Sequence, residues 1–227
     1  MLPMPGICWL CHLPLRVAQH GICSLCLRQL PALPPLCPRC ALPSQHPHLP
    51  CGRCLNQPPP WQMLVCVSDY VPPLSEFVHR LKFSGVTALS VMLARLLLLS
   101  WLQARRRNAV SPPNLLLCVP LHKKRLWQRG FNQTALLAKP LARWLQCEYR
   151  PHGLRRQRAA LLQHQLNARQ RRGNLRGAFR LEMDVTARHI ALIDDVVTTG
   201  STVTEISKLL LARGAASIQI WCLCRTL

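Results

Sequence analysis

Acidic residues are what this chain has least of. Eight Asp and Glu stand against 29 Lys and Arg, a formal net charge of +21. Between residues 77 and 181 the one acid is Glu148, among 21 Lys and Arg. Nothing nearby neutralises clusters such as Arg105-Arg106-Arg107 and Lys123-Lys124-Arg125. Such a field attracts polyanions: nucleic acid, nucleotides or anionic headgroups. A solvated basic surface is the plainer reading of the same charges.

Aromatic residues are scarce as well, at 5%. That excludes a basic stretch with interleaved rings on which single strands stack, and leaves backbone attraction as the mode open to DNA. Long apolar runs are missing. The most apolar segment, "ALSVMLARLLLLSWL" at 88–102, contains Arg95 and is shorter than the ~20 residues of a spanning helix. A core or amphipathic helix is expected there. The first residues, "MLPMPGICWLCHLPL", have neither a basic n-region nor a long h-region, so they do not read as a secretory signal. A soluble cytoplasmic protein without membrane insertion is expected. No G-x-x-x-x-G-K-[ST] occurs, which excludes the nucleotide-triphosphate loop.

Cysteine, by contrast, is abundant and ordered. Residues 1–60 hold eight of the thirteen, as Cys8-x-x-Cys11, Cys23-x-x-Cys26, Cys37-x-x-Cys40 and Cys51-x-x-Cys54. Each C-x-x-C turn aims two thiolates to one side, and two such turns complete a tetrahedral site. Eight ligands therefore make two closed, structural zinc sites. A disulfide framework needs an oxidising compartment for which there is no signal. Pairing in chain order is simplest; an interleaved cross-brace uses the same residues. His12, His46 and His48 are bystanders, since eight thiols suffice. The later Cys66, Cys118, Cys147, Cys222 and Cys224 read as small core residues, the last two on one face of a strand.

Pro58-Pro59-Pro60 reads as a stiff connector between two parts, a double zinc ribbon at 1–58 and an α/β domain at 59–227. In the larger part, strands are predicted at 63–70, 114–121, 190–193 and 216–225. Helical spacing falls at 74–83 and in "FNQTALLAKPLARWLQ", where Pro140 is expected to kink or restart the helix. This alternation predicts an α/β fold, a parallel sheet with right-handed crossovers and flanking helices.

Two of the eight acids are adjacent, in "HIALIDDVVTTGST" at 189–202. Asp194 and Asp195 stand at the carboxyl end of the apolar run, where open α/β sheets bind ligands. Thr198, Thr199, Gly200, Ser201 and Thr202 follow, and then helical spacing. Thr202 and Glu205 are spaced as a capping box. Strand, loop and helix N-terminus form a phosphate cradle. Carboxylates beside a phosphate repel it unless they serve another purpose; accepting hydrogen bonds from the two vicinal hydroxyls of a ribose is one, and holding a metal between carboxylate, sugar and phosphate is another. The pattern suits a ribose carrying a 5-phosphate.

Residues 190–202 resemble the phosphoribosyl-pyrophosphate (PRPP) signature of type I phosphoribosyltransferases. The resemblance implies that Asp194 and Asp195 hold ribose, that Thr198 to Thr202 hold the 5′-phosphate, and that magnesium bridges pyrophosphate and sugar. "LKFSG" (81–85), "VPLHKKRLWQRGFNQTALLA" (119–138), "RQRRGNLRGAF" (169–179) and the cysteine pairs resemble the ComF/GntX family over essentially the whole chain. That family's "R…RGFNQ" pattern points to Arg125 and Arg129 as cations for the pyrophosphate leaving group, ahead of Lys123 and Lys124, with Lys82 a weaker candidate. The basic segment 155–179, with Gly173 and Gly177, is expected to be partly mobile and to cover the site.

Three functions follow from different classes. One is a phosphoribosyltransferase with an unidentified acceptor, working in the use of extracellular DNA or in nucleotide salvage. Another is a PRPP-sensing adaptor without turnover. The third is a DNA-associated factor contacting single- or double-stranded DNA, or proteins of the DNA-uptake machinery, through its ribbons and basic surface.

Overall fold

The computed structural model describes residues 6–157 and 177–226. A five-stranded, wholly parallel sheet organises them: β1 (Met63–Asp69), β2 (Leu115–Cys118), β3 (Glu148–Tyr149), β6 (His189–Val197) and β7 (Ser217–Arg225), in the order β1-β7-β6-β2-β3. Strand β7, between β1 and β6, reads SIQIWCLCR, with all nine residues buried. Such near-continuous apolar strands are what a parallel sheet covered on both faces requires.

One face is covered by α3 (Leu74–Phe83), α4 (Leu89–Asn108) and α6 (Gln133–Leu145). Helix α4 buries Leu89, Met92, Leu93, Leu96, Leu97 and Trp101 against the sheet, and its last turn carries Arg105, Arg106 and Arg107. Cations there suit the negative end of the helix dipole. Beneath α4 the Gln219 side-chain oxygen accepts the indole N–H of Trp101 (2.9 Å) and of Trp221 (3.2 Å), so both buried rings are satisfied. The opposite face is covered by α7 (Ser201–Ala212) and by a small antiparallel pair, β4 (Leu154–Arg156) with β5 (Phe179–Leu181).

The cysteine-rich segment packs into both cores. Cys8, Leu15, Ile22 and Cys26 join the core under α3, α4 and α6, while Ala41, with Leu33 and Leu36, joins the core under α7. Strand β1 is a sheet edge, yet Met63 to Cys66 are buried, and the Leu64 N–H donates to the Pro38 carbonyl at 3.1 Å. An edge strand needs such cover against stray pairing.

Several elements differ from the sequence expectation. Strand β6 runs to Val197, so the two aspartates lie within its last residues, Asp194 beside Cys222 in register. A run of apolar residues marks the buried part of a strand but not its hydrogen-bonded end. Helix α7 begins at Ser201 with Gly200 as N-cap and no side-chain cap, so Thr202 and Glu205 form no capping box. Helix α6 is one element through Pro140, which removes the restart from the two alternatives and leaves the kink. Cys222 and Cys224 pack in different cores. Most of the segment expected to cover the site, including Gly173, lies outside the described residues.

Candidate functional site

The connection after β2 leads outward to β3, whereas that after β6 leads to β7 on the other side. The carboxyl ends of β2 and β6 thus flank a topological switch point, the crevice where α/β sheets bind ligands. A cavity of about 440 Å³ opens there. It brings together most of the non-cysteine residues singled out in the sequence as ligand contacts: Lys82, Arg125, Arg129, Asp194, Asp195 and Thr198 to Thr202. Lys123 and Lys124, from the same basic stretch as Arg125, do not line it.

At its floor the two acids differ. Asp195 is buried; Lys82 pairs with it at 2.9 Å, and the Gln133 amide donates to its other oxygen. Arg129 in turn donates to Gln133 and lies 5.4 Å over the Phe83 ring. A carboxylate has roughly four acceptor positions, so these donors fix Asp195 without exhausting it. Among the described residues Asp194 accepts only the Asp195 backbone N–H, at 2.9 Å. Burial, and then the charge of Asp195, push the Asp194 carboxyl up to about 7.

The far wall is the turn into α7. Gly200 adopts φ +77°, a left-handed conformation that favours glycine, and passes the chain directly into the helix. The Ser201 N–H reaches the Thr199 hydroxyl at a long 3.4 Å, and Gly200 has no side chain to cap the N–H groups that follow, which leaves those for an anion. Thr199 and Ser201 hydroxyls meet at 2.8 Å on the same rim.

The near wall is built by "RGFNQ". Helix α5 (Lys123–Arg129) ends at Gly130, in the left-handed region at φ +77°. Asn132 caps α6 through the Thr134 N–H and also donates to the Val119 carbonyl at 3.1 Å, which anchors the turn to the end of β2. Gln133 is then aimed at Asp195. Sequence reading quoted this glutamine but gave it no role. It also passed over Phe83, next to Lys82, and Arg156, one arginine among many, which β4 brings to the cavity. A second open cavity, about 710 Å³, continues past Lys82, Arg125 and Arg129 to Phe131.

The eight N-terminal thiols form two groups in chain order, Cys8/Cys11/Cys23/Cys26 and Cys37/Cys40/Cys51/Cys54, the sulfurs of each within 4.8 Å of one another. The two knuckles repeat one local fold. Cys8 N–H donates to Leu13 O and Cys37 N–H to Leu42 O, both at 2.9 Å; Ile7 bridges Pro14 as Leu36 bridges Pro43. The Cys23 N–H points at Cys8 Sγ (3.4 Å) and the Cys51 N–H at Cys37 Sγ (3.3 Å), bonds that favour thiolate. Burial raises the Cys8 thiol, but backbone N–H groups led by that of Cys11 outweigh it and bring it to about 6. Four thiols so grouped, with N–H donors on sulfur, fit a tetrahedral divalent ion.

Among the described residues, no helix is long and apolar enough to cross a membrane. A phosphoribosyl transferase domain model matches residues 135–227. The chain is 55% identical, over all 227 residues and the full length of each relative, to the DNA utilization protein YhgH of Escherichia coli K12 and to that of Salmonella typhimurium. It is 39% identical to competence protein F of Haemophilus influenzae over 221 residues, 96% of either chain. With that identity along whole chains, and with a phosphoribosyltransferase-type parallel sheet behind two cysteine knuckles, the chain belongs to the ComF/GntX family.

Proposed function

We propose that the chain binds PRPP in the cavity between β2 and β6 and transfers its phosphoribosyl group to an acceptor. The observation that carries this is the meeting, in one cavity, of an acid pair, an uncapped helix N-terminus behind a Thr-Thr-Gly-Ser-Thr turn, and the cations of the "RGFNQ" wall. Asp194 and Asp195 accept hydrogen bonds from the ribose hydroxyls, and Thr198 to Thr202 hold the 5-phosphate. Arg125 and Arg129 face the leaving group, where positive charge stabilises departing pyrophosphate and the oxocarbenium-like state. Lys82 pairs with Asp195, so its charge serves the acid pair first. Bound magnesium supplies charge neutralisation on the pyrophosphate oxygens.

The two cysteine knuckles hold zinc in a structural role, every position being filled by protein thiolate. Reduced thiols fit a cytoplasmic setting. Relatives named for DNA utilization and competence support placing the transfer in the use of incoming DNA or in nucleotide salvage, with the basic surface available to DNA. We divide the chain into a cysteine-rich unit at 1–58 and an α/β unit at 59–227, the described part of the first being packed into the cores of the second.

A second reading, PRPP binding without turnover, is favoured by one observation. Among the described residues lining the cavity, the only carboxylates are Asp194 and Asp195, both assigned to ribose, which leaves no separate general base.

Calorimetric titration of the zinc-loaded protein with PRPP and magnesium tests the pocket. Binding is expected in the wild type and is expected to vanish in Asp194→Asn/Asp195→Asn. Pyrophosphate release in a screen of acceptor bases then separates transfer from sensing. A wild type that binds no PRPP with its zinc intact overturns the assignment.

A further inference from the structure

Arg225, at the end of β7, is 6% exposed and has no carboxylate partner among the described residues. Its guanidinium instead collects backbone carbonyls from three places. Nε donates to Cys40 O at 3.1 Å, inside the second cysteine knuckle. Nη1 donates to Val197 O at 2.9 Å, to Thr198 O, and to Thr226 O at 2.7 Å. Val197 and Thr198 are the last residue of β6 and the first of the phosphate turn. A planar fork of donors holds such acceptors in a fixed relation, which a flexible ammonium cannot do.

A second link runs beside the first. Arg39, in the same C-x-x-C turn as Cys40, donates to Trp61 O at 2.6 Å, and the Trp61 indole donates back to Arg39 O at 2.7 Å. The Trp61 ring lies directly under Gly200, 3.7 Å from where a Cβ on that glycine would stand. Both links join the knuckle Cys37/Cys40/Cys51/Cys54 to the turn Thr198–Gly200. Among the described residues the other knuckle has no such link. Its neighbours are α3 and α4, with Gly21 against Met92 and Trp9 under Arg80.

We propose that Arg225 is a positioning residue for the phosphate turn, and that the second cysteine knuckle is the fixed body from which it acts. Four thiolates around one divalent ion carry net negative charge, a counter-charge suited to a buried guanidinium that lacks a carboxylate. The metal in this knuckle therefore has a role at the ligand site without touching ligand. Metal in the first knuckle serves stability alone. The inference rests on the reading of Thr198 to Thr202 as the phosphate turn.

The test compares wild type with Arg225→Lys in the zinc-loaded full chain. Hydrogen exchange of the 198–202 amides, zinc content, melting temperature and PRPP affinity are measured together. Arg225→Lys is expected to keep two zinc equivalents and to speed exchange in 198–202 while β2 and α4 stay protected. PRPP affinity is expected to fall about tenfold. A general loss of stability moves the melting temperature and leaves the 198–202 amides no more exposed than the rest. Unchanged exchange at 198–202 overturns the proposal, as does unchanged affinity in a wild type that binds. A wild type that binds no PRPP sinks the functional reading, and exchange still decides whether the clamp exists. Should Arg225→Lys fail to fold, Arg39→Gln cuts the parallel link at a less buried side chain, and the same local change in exchange is expected.

Discussion

The two cysteine knuckles are one structure built twice and used in two places. They share the backbone hydrogen bond after the first cysteine, the N–H bond onto sulfur and the short helix that carries the fourth ligand, Ser24–Arg28 in one and Gly52–Asn56 in the other. What differs is what they lean on. The first rests on α4, on the face of the sheet away from α7; the second covers edge strand β1 and reaches the turn between β6 and α7. Equal sets of four thiols thus stand in unequal surroundings, set by the neighbours and not by the ligands.

Removing one metal at a time should break the comparison most visibly. Zinc-finger peptides draw roughly 10–16 kcal/mol from their metal, so Cys26→Ser and Cys54→Ser should each cost several kcal/mol and one zinc equivalent. Metal analysis and thermal denaturation check this. Below the melting temperature, Cys26→Ser should bind PRPP as the wild type does, while Cys54→Ser should bind it more weakly. Equal affinity in the two variants would make the knuckles equivalent after all.

Smaller changes at the two seats sharpen the contrast. Gly21 has φ +67°, and a Cβ there would stand 2.5 Å from Met92 Cβ. Gly21→Ala should therefore cost about 2–3 kcal/mol, from strain and overpacking together, with PRPP affinity unchanged. Trp61→Phe loses the indole bond to Arg39 and the outer ring edge that reaches Gly200. It should cost only about 1 kcal/mol, yet weaken PRPP several-fold. Denaturant unfolding paired with calorimetry reads both effects. The opposite ordering, affinity lost at Gly21 and kept at Trp61, contradicts the asymmetry.

This asymmetry was not legible in the sequence, and the reason is physical. Cysteine spacing reports local turn geometry, which is closely similar in the two copies. Seating depends on contacts between residues far apart in the chain, such as Arg225 with Cys40. The parallel sheet and the acid pair were legible because apolar runs and a strand-loop-helix pattern are local signals. Gln133 and Arg156 were not singled out, the first because a capped helix start disguises a side chain aimed across the cavity. The second belongs to an antiparallel pair formed by strands of three residues separated by a long connection, and nothing in its composition marks it. Strand β6 was read too short because Asp194 and Asp195 interrupt its apolar pattern without interrupting its hydrogen bonds.

The remaining expected effect belongs to the strand end and not to either knuckle. The Asp194 carboxyl is raised from 3.8 to about 7 by burial and by Asp195. A raised acid keeps its proton in the folded chain after the unfolded chain has released it. The stability it contributes is full below about pH 4 and is lost as pH rises through about 7. Ligand binding runs the other way, because ribose hydroxyls are best accepted by the ionised carboxylate. From about pH 6 to 8 the PRPP affinity should rise roughly tenfold from this group. Asp194→Asn should bind more weakly and keep only the pH dependence of the ligand's own phosphates. Gly21→Ala, with its defect at the first knuckle, should retain the full wild-type slope. A wild-type slope equal to that of Asp194→Asn would mean that Asp194 is already ionised at pH 6, and would remove the difference drawn between the two acids.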